Sequence, residues 1–111
     1  MDWKALDRED QIEEIIALSQ DKPQIILKHS TTCSISGMVK SRLERSEIVE
    51  EADYYLLDLL SYRAVSNLVA DKFGVHHESP QVLVIAKGKC IYNESHYGIM
   101  ADEILSSVST I

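Results

Sequence analysis

Gln24-Ile25-Ile26-Leu27-Lys28-His29-Ser30-Thr31-Thr32-Cys33-Ser34-Ile35-Ser36 changes character in its middle, and that change decides the fold. Its first half, Gln24 to His29, is a short run around Ile25, Ile26 and Leu27 and predicts a buried strand. From about Ser34 onward the apolar residues Ile35, Met38, Val39 and Leu43 keep helical spacing, and Lys40, Arg42, Glu44 and Arg45 form a solvated face. Gly37 in the first turn costs helix stability but lets another backbone come close. Cys33 therefore sits where a strand has ended and a helix begins. The first amides of a helix lack partners and its dipole favours negative charge, so a thiol placed there falls below its free pKa of ~8.5.

Working outward, Asp7-Arg8-Glu9-Asp10 reads as a helix start with Asp7 as cap, followed by Ile12, Ile15 and Ile16 on one face and closed by Pro23. Downstream, Tyr54 to Leu60 reads as a second buried strand. Ser61 is the expected cap of a third helix with Val65, Leu68, Val69 and Phe73 inside, and Gly74 fits the left-handed position that ends it. Val82 to Ile85 is a third strand, Lys87-Gly88-Lys89 a tight turn, and Cys90 to Glu94 a returning fourth strand. Ala101, Ile104, Leu105 and Val108 mark a last helix. The order α-β-α-β-α-β-β-α predicts one α/β domain over residues 1–111. Its first two strands should be parallel through a right-handed crossover, and its last two an antiparallel hairpin. A four-stranded mixed sheet covered by helices on both faces is the thioredoxin-like arrangement.

Composition narrows the function. At 111 residues one core can form without staples, and a net charge of −7 argues against nucleic acid or an anionic membrane as the main partner. No apolar stretch approaches the ~20 residues of a membrane span. Met1-Asp2-Trp3-Lys4 lacks the basic and apolar regions of a signal peptide, so a cytoplasmic location is expected. A reducing cytoplasm disfavours a structural disulfide between the two cysteines, Cys33 and Cys90. Cys90 opens a strand and is expected to be a small, inert apolar filler.

Cys33 is the candidate nucleophile, its thiolate accepting from the amides of Ile35 and Ser36 and from the Ser36 hydroxyl. The bland alternative is a buried cysteine that happens to precede a helix. Ser36 either tunes Cys33 from the place of a second cysteine or is an early-helix serine satisfied by backbone. Ser79-Pro80 precedes the third strand, as a simple turn or edge feature or with a cis bond that turns the Ser79 backbone outward toward a peptide-like ligand. His76 and His77 read as loop or surface histidines, because adjacent histidines rarely meet one ion and no further ligand pattern accompanies them. His96 lies at the entry to the last helix, where it could meet an anionic ligand or serve the turn. The acidic run Glu47 to Asp53 reads as solvated surface.

Lys28-His29-Ser30-Thr31-Thr32-Cys33-Ser34-Ile35-Ser36 together with His77-Glu78-Ser79-Pro80-Gln81 resembles the monothiol bacilliredoxins of the bacillithiol system, over nearly the whole chain. The resemblance implies a thioredoxin fold in a Gram-positive cytoplasm, with Cys33 as redox cysteine, Ser36 in the absent resolving position and Pro80 as cis-proline. It implies a monothiol thiol–disulfide oxidoreductase that removes bacillithiol from bacillithiolated client proteins. The thiolate would take bacillithiol as a mixed disulfide, to be released by bacillithiol or another external reductant. No metal and no tightly bound cofactor is implied; bacillithiol is a co-substrate. Backbone groups of Ser79 and the amides of Ser34, Ile35 and Ser36 would hold the ligand, with Thr32 and His96 as further candidates. Ser34 departs from the family, which commonly has proline there; proline would pre-order the first turn and remove an amide. The lysine that glutaredoxins often place shortly before their cysteine is also missing. Two other functions fit one helix-terminal thiol: an iron–sulfur carrier with a small thiol as second ligand, and a non-catalytic module whose cysteine is regulatory.

Overall fold

Alternation of apolar residues along the central strands sends successive side chains to opposite faces of one sheet, and both faces are covered. The computed structural model describes residues 2–46 and 51–109. In chain order the elements are β1 (Trp3–Ala5), α1 (Gln11–Leu18), β2 (Gln24–His29), α2 (Ser34–Arg45), β3 (Asp53–Asp58) and α3 (Arg63–Phe73), then β4 (Gln81–Ala86), β5 (Lys89–Ser95), a 3-10 turn (His96–Gly98) and α4 (Ala101–Ser109). The sheet order is β1-β3-β2-β4-β5, with β2 parallel to β3 and antiparallel to β4. Ile26, Tyr55, Leu57, Leu83 and Ile85 face α1 and α3, whereas Ile25, Leu27, Tyr54, Val82 and Val84 face α2 and α4.

The expected architecture holds with one correction: the sheet has five strands, not four. β1 is the added one, pairing parallel with β3 at the edge. Three residues with intermediate or exposed side chains carry no usable period. Long-range contacts hold it instead: Trp3 meets the Tyr54 ring edge-on at 6.0 Å, and its indole N–H donates to Glu44 of α2 at 2.9 Å.

Several local expectations also change. Asp7 does not cap α1; the Gln11 side-chain oxygen accepts the Asp7 and Arg8 amides, each at 2.9 Å, and the helix starts at Gln11. Ser61 does not cap α3, because its hydroxyl donates to the Asp58 carboxylate at 3.0 Å. Nothing packs where a Gly37 side chain would be, so no described residue uses the approach that this glycine permits. Met38 and Leu105 lie on the outward sides of their helices, 39% and 45% exposed. Gly74 does close α3 at φ 64°. Lys87 and Gly88 both have positive φ, which matches the right-handed twist of the hairpin strands.

Residues 47–50 of the acidic run lie outside the described residues, but Asp53 at its end is not a solvated charge. Its side chain is only 11% exposed. Burial alone would raise its pKa, but hydrogen bonds from Gln24, Lys4 and Lys22 outweigh that and hold it at about 2. One carboxylate thus ties β1, the entry to β2 and β3 together. A carboxyl shifted down from its ordinary 3.8 stabilises the fold above that pH. The contribution, about 2 kcal/mol, disappears as the pH falls from about 4 to 2. Urea denaturation across that range should show this loss in the parent chain and not in Asp53→Asn.

Candidate active site

β2 ends at His29 and α2 begins at Ser34, so only Ser30-Thr31-Thr32-Cys33 joins them. The Cys33 amide donates back to the Ser30 carbonyl at 3.2 Å, closing a turn, and the Gly37 amide donates to the Cys33 carbonyl as the first helical bond. Cys33 itself is the extended cap residue, at φ −105° and ψ 120°, with its thiol partly exposed. The amide of Ser36 contributes most to lowering the thiol pKa. Burial opposes it, and the Ile35 amide and Ser36 hydroxyl add to it. These groups do not close a short cap bond onto the sulfur. They are dipoles facing it, and favour the anion over the thiol.

Ser36 is fully buried, and its neighbours fix it from behind. The Ser30 amide donates to the Ser36 hydroxyl oxygen at 3.3 Å, leaving the hydroxyl proton for the sulfur. Burial first, then Lys40, lower the His29 pKa, against the Ser36 backbone that the ring faces. Both His29 and Ser30 belong to this site, although neither was singled out in the sequence. Thr32 is exposed, with its hydroxyl 3.2 Å from that of Ser30, and Ser34 is exposed at the first position of α2.

The register places the second motif at the same end of the sheet. Lys28 pairs with Gln81, so Pro80 follows β2 outward beside His29. The Ser79-Pro80 peptide bond is cis. Ser79 makes no hydrogen bond to any described residue, leaving its amide and carbonyl open. His96 reaches this turn as well: its amide donates to the Pro80 carbonyl at 2.9 Å and its ring lies 3.2 Å from the Glu78 carboxylate. It sits in the 3-10 turn rather than at the start of α4, and a carboxylate occupies its ring, so an anion-binding role loses its basis. His77 departs from the surface reading too, since its Nδ1 lies 3.1 Å from the amine of buried Lys28. Among the described residues no group of three or more His, Cys, Asp and Glu side chains comes together as a metal set.

Cys90 is a different kind of thiol. It pairs with Ile85, which itself pairs with Gln24 at the start of β2, whereas Cys33 follows its end. Five residues of strand separate those levels by about 16 Å, far beyond the ~7 Å limit for bridged cysteines. Burial raises the Cys90 pKa, and its thiol packs against the α1/α3 core. The Ser36→Ala variant should alkylate at Cys33 more slowly at neutral pH, with the rate midpoint moved to higher pH; peptide mapping should find Cys90 unmodified in both proteins until denaturant is added.

A family model described as monothiol bacilliredoxin BrxC matches residues 4–104. A solved structure of a candidate oxidoreductase with a thioredoxin fold is 30% identical, covering 94% of this chain and 91% of its own, with a TM-score of 0.78. The thioredoxins of Malassezia sympodialis and Fasciola hepatica are each 14% identical with TM-scores of 0.72. The first covers 98% of this chain and 90% of its own, the second 96% and 97%, and at that identity they show the fold alone. With a thioredoxin fold, one thiol facing the first turn of α2 and a match over nearly its whole length, this chain belongs to the monothiol bacilliredoxin family.

Proposed function

We propose that the protein removes bacillithiol from S-bacillithiolated client proteins in the cytoplasm. The observation that carries this reading is the isolation of an activated thiol. Cys33 has its pKa lowered at the start of α2, a buried serine occupies the place three residues on, and Cys90 lies out of reach. In the first step the Cys33 thiolate attacks the bacillithiol sulfur of the mixed disulfide. The bond between bacillithiol and client breaks, a Cys33–bacillithiol disulfide forms, and the client leaves as a thiolate that takes a proton from water. Cys33 then waits for an external thiolate, bacillithiol or another low-molecular-weight thiol. Attack on the same bacillithiol sulfur yields a small disulfide and restores the Cys33 thiolate. Electrons come from the second thiol, and no bound metal or organic cofactor takes part.

The site's groups divide this work. Ser36 and the amides of Ile35 and Ser36 favour the thiolate, both as nucleophile and as leaving group in the second step. The open backbone of Ser79 offers a donor and an acceptor to an extended client segment, and Thr32 and Ser34, which flank Cys33 in the chain, are exposed. Intact-mass analysis after mixing with a bacillithiolated client should show one bacillithiol on Cys33. Transfer should be abolished in Cys33→Ser and retained in Cys90→Ser. Modification at Cys90, or none, overturns the reading.

A further inference from the structure

A second polar cluster lies under the segment that leads to Pro80, and the thiol chemistry does not use it. Lys28 is fully buried on the α1/α3 face of the sheet, in register between Leu57 of β3 and Gln81 of β4. Its amine donates to the Ser66 carbonyl of α3 at 3.2 Å and faces His77 Nδ1 at 3.1 Å. The Ser66 hydroxyl lies 3.3 Å from the same ring nitrogen. Gln81, 1% exposed, donates its side-chain amide to the His76 carbonyl at 2.9 Å. Two cross-strand neighbours therefore grip two consecutive residues of one connecting segment.

A lysine is rarely buried without a carboxylate, because desolvation opposes its charge. Burial here lowers the Lys28 pKa to about 8, which leaves it mostly protonated at neutral pH. Burial and then Lys28 and Arg63 lower the His77 pKa, against Glu78, so the ring is neutral and its Nδ1 accepts from the amine. The far end of the same segment is tied as well, where Pro80 receives the His96 amide and Glu78 faces the His96 ring. Ser79 lies between these two anchors.

We propose that Lys28, with Gln81 beside it, is a positioning residue that holds segment 76–80 so that Ser79 is presented to the client chain. This rests on the de-bacillithiolation reading above. Lys28 acts through His77 and touches neither the thiol nor the ligand, so its loss impairs recognition of a protein client rather than the nucleophilicity of Cys33. Losing one charge-assisted hydrogen bond corresponds to about a tenfold effect.

The test compares Lys28→Met, which keeps chain length without the donor, with His77→Ala, which removes the acceptor from a connecting segment. Each is assayed on a bacillithiolated client protein, on the free bacillithiol disulfide, and with iodoacetamide. The expected result is a KM for the client about tenfold higher with kcat little changed, while the small disulfide and iodoacetamide react with Cys33 as in the parent chain. If Lys28→Met fails to fold, His77→Ala carries the same expectation. An unchanged client KM, or a parallel fall in the iodoacetamide rate, overturns the proposal. Failure of the parent chain to react with either disulfide instead overturns the reading on which it rests.

Discussion

The site depends on one short hydrogen-bonded connection: the Ser30 amide, at the end of β2, holds the Ser36 hydroxyl in the first turn of α2. That bond fixes where the helix begins relative to the strand, and so where its first amides point. It also uses the Ser36 oxygen as an acceptor, so that the hydroxyl's own donor is available to favour the thiolate. The rest of the sheet serves this geometry. β2 is central, pinned by β3 on one side and β4 on the other, and its residues are buried on both faces up to Lys28. A strand fixed in that way transmits little movement to the turn it feeds.

The same framework explains why one thiol must work alone. Ser36 is enclosed between strand and helix, so the position that could hold a second cysteine is filled by a group that donates a proton without reacting. Cys90 is on the edge hairpin, at the other end of the sheet, where its thiol donates to the Tyr92 carbonyl with sulfur and oxygen 3.2 Å apart. Chemistry that ends in a mixed disulfide on Cys33 therefore has no internal exit. In the proposed reaction, release therefore falls to an external thiol.

Much of this was legible in the sequence because it is local. The bounds of β2 and the start of α2 follow from a change in period across Ser30 to Cys33, and the hairpin from Lys87-Gly88 between two apolar runs. The donors facing Cys33 follow from helix geometry alone. What was missed is held by residues far apart in the chain. β1 is too short for a periodic signal and depends on Trp3 meeting Glu44 and Lys4 meeting Asp53. Asp53 looked like the end of a solvated acidic run, yet it gathers three donors from other elements. His77 gave no sign of its partner, 49 residues away in β2. The one available hint was Lys28 itself, a charged residue inside an apolar run with the character of a buried strand.

The start of α2 lowers the Cys33 pKa and so favours its thiolate. Thiolate absorbance near 240 nm, followed across pH in the reduced protein and in Cys33→Ser and Cys90→Ser, measures that directly. The expected transition lies below the ordinary thiol range, persists in Cys90→Ser and vanishes in Cys33→Ser. A single transition at or above the ordinary range, or one that follows Cys90, would contradict it.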